Sequence, residues 1–84
     1  MLTTQNGSTL IVDIHGMYAA DAKRELERLL SRAGKNIHEV VVIHGYSHGQ
    51  VLKNMVRRDL KHPRIQSKLL SLNEGQTRIL LKDL

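Results

Sequence analysis

The chain has 84 residues, 40% apolar and 25% charged, a composition that supports one folded domain and excludes a wholly disordered chain. It has no Cys, which excludes disulfides and thiolate metal sites, and its two Tyr are the only aromatics, so the core must be aliphatic. The formal charge is +5 and the excess sits in one half: residues 1–42 hold five Lys/Arg and five Asp/Glu, whereas residues 43–84 hold eight and three, which suggests a basic surface for a polyanion.

Residues 1–9 are polar and lack the basic start and apolar run of a signal peptide. They are expected to form a loose native N-terminal tail before a domain spanning 10–84. Residues 10–14 form a short aliphatic run and are predicted to be a strand, with Leu10, Val12 and Ile14 on one face and Ile11, Asp13 and His15 on the other. Gly16 permits a turn. Ala19, Ala22, Leu26, Leu29, Leu30 and Ala33 then recur at helical spacing, giving a helix over 19–33 with Gly34 as its cap.

Residues 40–44 form a second strand, whose unbroken β-branched run suits a central position. Val51, Leu52, Met55, Val56 and Leu60 mark a second helix opening near Gly49 or Gln50 and stopped by Pro63. Residues 65–70 alternate as an edge strand with Arg64, Gln66 and Lys68 toward water. Asn73-Glu74-Gly75 is a turn, and residues 77–81 form a last, central, antiparallel strand. The order βαβαββ, with right-handed crossovers, predicts an α/β two-layer sandwich: a four-stranded mixed sheet with two helices on one face. No stretch of about 18 apolar residues occurs, so no membrane span is expected. The lack of Cys is compatible with a cytoplasmic location.

Two segments carry most of the chemistry. Asp13-Ile14-His15-Gly16 and His44-Gly45-Tyr46-Ser47-His48-Gly49 each follow a strand and lead into a helix. Two parallel strands would open both loops at one sheet edge, where open α/β sheets place ligands. Neighbouring strands lie about 4.8 Å apart, so His15 and His44 could reach one phosphate as an acid/base pair, with Asp13 orienting His15. Asp13 and His15 could equally serve only to hold the loops. Gly49 and the helix start after it, with Ser47 and His48, offer donors to an anion. Lys53, Arg57 and Lys61 recur at four-residue steps and are expected to share one stripe beside that end. Arg24, Arg28 and Arg32 have the same spacing, but Glu25 and Glu27 can pair with them, which marks a salt-bridged outer face. Tyr18 and Tyr46 each follow a His-Gly and could stack on unpaired bases.

Asp-Ile-His-Gly at 13–16, Ile-His-Gly-x-x-x-Gly at 43–49 and Asn-Glu-Gly at 73–75 together resemble the Smr (small MutS-related) domain family over nearly the whole chain. The resemblance implies a fold similar to the C-terminal domain of a bacterial translation initiation factor. It also implies a nucleic-acid-binding domain, some members of the family nicking DNA and others cleaving or binding RNA. On that pattern Asp13, His15 and Gly16 belong to the first family motif, and His44, Gly45 and Gly49 to the second. Tyr46 stands where the family usually has Lys or Arg, and Ser47 where it usually has Gly.

The sequence therefore predicts a nucleic-acid partner, DNA or RNA, with branched or single-stranded regions included, no membrane partner, and a monomer. Asp13, His15 and His44 are the candidate catalytic residues of an endonuclease. Gly16, Tyr18, Gly45, Tyr46, Ser47, His48, Gly49, Lys53, Arg57 and Lys61 are the candidate binding residues. Asp13, His15, His44 and His48 could hold a divalent metal such as Mg, but a single carboxylate makes a poor cage and no cofactor is assigned. The alternative is a non-catalytic interaction module that buries Ile11, Val41 or Ile43 on the open sheet face against a partner.

Overall fold

The computed structural model describes residues 1–45 and 50–83. Its sheet has five strands in the order β1 (Leu2–Asn6), β2 (Thr9–Asp13), β3 (Glu39–Ile43), β5 (Gln76–Leu81), β4 (Ile65–Leu70). The first of these corrects the expectation of a loose tail and raises the strand count from four to five. Leu2–Asn6 pairs antiparallel with β2, from Leu2 opposite Asp13 to Asn6 opposite Thr9. A two-residue turn, Gly7-Ser8, joins them, with Gly7 at φ 62° in a conformation that suits a tight hairpin. All five residues of β1 are exposed, so no apolar alternation marks the strand.

β2 and β3 are parallel, joined by α1 (Ala19–Arg32), and β5 runs antiparallel to both of its neighbours. The inward face of the sheet carries Val12, Val40, Val42, Ile79 and Leu81. Against it α1 lays Ala22, Leu26 and Leu30, four residues apart and nearly devoid of solvent contact. Burying a leucine to that degree is worth about 2–3 kcal/mol. Both helices share this core, so they cover one face, as the crossover rule requires.

The second helix is irregular. A single α-helical turn, α2 (Val51–Asn54), continues as a π-helical segment, Met55–Asp59, closed by the Leu60 amide donating to the Met55 carbonyl at 2.7 Å. The wider turn places Met55 and Leu60, five residues apart, in the same core.

Two further features depart from the sequence expectation. Gly34 does not cap α1 in a left-handed conformation; positive φ occurs only at Gly7, Gly16 and Gly45 among the described residues. The end of α1 is held instead by Arg64, which is buried rather than water-facing. Its guanidinium donates to the carbonyls of Ala33 at 2.6 Å, Gly34 at 3.0 Å, Ile37 at 3.1 Å and Lys82 at 2.7 Å. One side chain thus satisfies carbonyls that the helix end leaves free and ties them to the end of β5. Lys68 likewise turns back to the Leu60 carbonyl, at 2.5 Å.

On α1, Arg28 pairs with Glu25 at 3.4 Å and Arg24 with Asp21 at 2.5 Å, an exposed outer face that adds little stability. On the opposite side of the sheet, Ile11, Val41 and Ile43 are only half-exposed, and the Arg78–Glu39 ion pair at 2.6 Å crosses that face. No helix among the described residues is long and apolar enough to cross a membrane.

Candidate nucleic-acid interface

The register brings three turns to one rim. Asp13 is paired with Ile43 and Ile43 with Gln76, so the segments 14–16, 44–45 and 73–75 leave or enter the sheet side by side. The amides of His44 and Gly45 both donate to the Gly75 carbonyl, at 2.9 and 3.0 Å, and the Gly75 amide donates to Asn73 Oδ1 at 2.8 Å. The Asn-Glu-Gly turn therefore acts as a backbone brace for the second His-Gly turn. The two His-Gly turns also touch: a Cβ added to Gly45 would lie 3.8 Å from His15 Cβ.

At this rim His15 stands out into solvent, its side chain 70% exposed, while Asp13 beside it is 27% exposed. One Asp13 carboxylate oxygen accepts twice from His15, from the backbone amide at 3.0 Å and from Nδ1–H at 2.5 Å. These bonds hold the Asp13 carboxyl below the usual carboxylate range, against the opposing effect of partial burial. Asp13 is thus an anion at neutral pH. It fixes the His15 ring with Nδ1 inward and Nε2 outward, the tautomer a proton-transfer group needs. Gly16, at φ 80°, gives the turn its shape directly after it.

His44 does not share this exposure. It is 4% exposed, and both ring nitrogens are engaged within the protein. Nδ1–H donates to the Gly45 carbonyl at 2.8 Å, and Nε2 accepts from the Thr77 hydroxyl at 2.9 Å. Thr77 Oγ1 in turn accepts from Arg57 Nε at 2.8 Å, and Arg57 Nη2 donates to the Gln76 carbonyl at 3.1 Å. Every donor in this chain has an acceptor only if His44 is neutral. Burial is the main cause that lowers its pKa, and the charges of Arg57 and Lys53 lower it further. The two histidines expected to act as an acid/base pair thus sit differently: the His15 ring faces solvent and the His44 ring supports the turn from inside.

The lysine–arginine stripe is also broken. Arg57 is spent on Thr77 and Gln76, Lys53 is half-buried, and Lys61 lies beyond the helix end, facing α1. The reason is the π-helical turn, which shifts four-residue spacing off a single line. Tyr18 is 82% exposed at the start of α1, where its side chain caps no amide. Tyr46, Ser47, His48 and Gly49 lie outside the described residues. No three His, Asp or Glu side chains gather to suit a metal among the described residues. Of the candidate ligands Asp13, His15 and His44, only Asp13 is a carboxylate and His44 has both ring nitrogens engaged, so these three do not make a site for a hard divalent cation.

Sequence reasoning missed Thr77 and the inward role of Arg57. A Thr heading the otherwise aliphatic inward series Thr77, Ile79, Leu81 was the available signal, since a buried hydroxyl needs partners.

The rim motifs fall inside a match to the family model for the Smr domain, which spans residues 12–78. The chain belongs to the Smr domain family. The family is linked to nucleic-acid binding and endonuclease activity. Among solved structures, the Smr domain of Thermus thermophilus MutS2 is similar, with a TM-score of 0.76 and 23% identity over 86% of this chain and 96% of that one. At that identity the likeness establishes the Smr fold alone. Comparison with curated proteins gives no match.

Proposed function

We propose that this Smr domain binds the sugar-phosphate backbone of nucleic acid across the rim formed by the turns after β2 and β3 and before β5. His15 serves there as the proton-transfer group of a phosphodiester cleavage. The observation that carries the reading is the Asp13–His15 pair: a carboxylate-oriented imidazole, exposed, at the meeting point of three backbone-braced turns. A histidine held only for structure would bury its second nitrogen, as His44 does. In RNA, His15 Nε2 would take the proton of the 2′-hydroxyl as that oxygen bonds to phosphorus and the bond from phosphorus to the 5′-oxygen breaks, the leaving oxygen taking its proton from water; a DNA strand would instead need an activated water. Asp13 orients the ring by accepting from its Nδ1–H. His44 shapes the turn through Gly45 without touching the reacting atoms. Exposed Tyr18 is placed to stack on an unpaired base. The interaction-module alternative finds little support, because the open sheet face is only half-exposed and is crossed by an ion pair.

The test is a salt titration of binding to single-stranded, duplex and branched DNA and RNA, with cleavage followed in the same samples with magnesium and with chelator. Binding should weaken linearly with the logarithm of salt, reflecting several phosphate contacts. His15→Ala should abolish cleavage and leave the fold intact by circular dichroism, because the side chain is exposed and serves no core contact. Equal cleavage by both proteins rejects the role of His15, and salt-insensitive or absent binding to every probe rejects the nucleic-acid reading.

A further inference from the structure

Between α1 and the second helix runs a groove with a volume of about 560 Å³. Its floor is made of Ala19, Ala20 and Met55, and its walls present Lys23 from one helix and Arg58 and Lys61 from the other. We propose that this groove is a second phosphate-contact site, which carries the nucleic-acid strand away from the His15 rim over the helix layer. The inference rests on the binding reading above and names the path that the strand takes.

Three observations support it. First, the charge is unspent. Lys23, Arg58 and Lys61 make no hydrogen bond or ion pair with the described residues, whereas Arg24, Arg28, Arg57, Arg64, Lys68 and Arg78 are all committed to partners. Three cations face one carboxylate, that of Asp59, so the groove is set for an anion. Second, the groove joins the rim. Its α1 wall begins at Ala19, directly after exposed Tyr18 and three residues past Gly16. Its other wall begins at Val51, immediately after Gln50 at the start of α2. A strand crossing His15 and Tyr18 therefore meets the mouth of the groove. Third, alanines at the floor let a sugar-phosphate chain approach without collision, while long cationic side chains reach it from both sides. Of the four-residue stripe expected from the sequence, Lys61 lines this groove, whereas Lys53 and Arg57 do not.

The experiment measures anisotropy of fluorescently labelled single-stranded RNA, single-stranded DNA and a branched duplex against salt, for wild type and for Lys23→Gln, Arg58→Gln and Lys61→Gln, singly and combined. Each single substitution should lower the slope of log K against log salt by about 0.7–0.9, and the triple variant by about 2–3. Lys35→Gln, exposed beyond the far end of α1, is the control and should leave the slope unchanged. Circular dichroism of the triple variant should match wild type, since all three side chains lie at the surface of the groove. If wild type binds with a steep slope that the triple variant retains, the groove inference fails while the rim reading stands. If wild type binds none of the probes, both fail. A triple variant that keeps its nucleic-acid slope but loses binding to polyglutamate would assign the groove to an acidic protein and overturn the proposal.

Discussion

Thr77→Val removes one hydroxyl from behind the rim while keeping the shape of a fully buried strand residue. That hydroxyl accepts from Arg57 at 2.8 Å and donates to His44 at 2.9 Å. His44 is buried, so its Nε2 lone pair has no water to turn to, and leaving such an acceptor bare costs about 1–3 kcal/mol. The lost Arg57 bond adds roughly 1 kcal/mol, a low value for a charged donor because Arg57 is half-buried and keeps the Gln76 carbonyl. The added methyl returns ~1 kcal/mol by burial. The net loss is about 2 kcal/mol, or roughly 10 °C in Tm for a domain of this size. Urea unfolding followed by circular dichroism measures it, with the midpoint moving down by about 1–2 M at constant slope. Thr77→Ser keeps the bridge and sacrifices one methyl, a loss of ~1 kcal/mol. Valine should therefore be the more damaging of the two. A packing-only account predicts the reverse order, and a Thr77→Val protein as stable as wild type would refute the hydrogen-bonded chain from Arg57 to His44.

Other consequences follow from the same geometry. Arg64→Met should cost about 3 kcal/mol or more, because it strips donors from four carbonyls at once, and Arg64→Lys should recover only part of that loss in urea melts; an unchanged midpoint for Arg64→Met would show that water replaces the clamp. Gly45→Ala should cost roughly 1–2 kcal/mol from the backbone alone, since φ is 76° and the nearest atom to the new Cβ, on His15, is at ordinary contact distance. A neutral effect would mean that the turn relaxes out of that conformation. Stability should decline as pH falls below the ordinary imidazole value of 6.5, because unfolded His44 takes up a proton that the folded residue refuses, and the decline ends only at the lower folded value. His44→Gln should flatten that limb. The contribution of Asp13 is separate: present above the ordinary carboxyl value of 3.8, it is lost only as pH falls from there through the lower folded value.

The main elements were legible because their signals are local. Alternation around Val12, the aliphatic run ending at Ile43, the four-residue spacing of Ala22, Leu26 and Leu30 and the Asn73–Gly75 turn each express burial or turn chemistry within a few residues. β1 was not legible from periodicity, since an edge strand exposed at every position has no reason to alternate. The Gly7-Ser8 turn signal was present without an apolar partner run to confirm it.

By itself, then, the sequence determined the order of the elements after β1 and the convergence of two His-Gly turns, because parallel strands joined by a helix have one handedness open to them. It also put Asp13 and His15 within reach of each other, two residues apart where the strand gives way to a turn, and there the Asp13 carboxylate accepts from both the amide and the ring of His15. Only the tertiary structure decided the state of His44 and the use of the cations. His44, Thr77 and Arg57 come from three separate elements, and no spacing along the chain records that they share a hydrogen-bond chain. Likewise the π-helical turn, set by packing Met55 and Leu60 into one core, turned Arg57 inward and left Arg58 and Lys61 facing Lys23. Which charges reach solvent depends on how a helix is wound and seated, and that is settled by the partners it packs against.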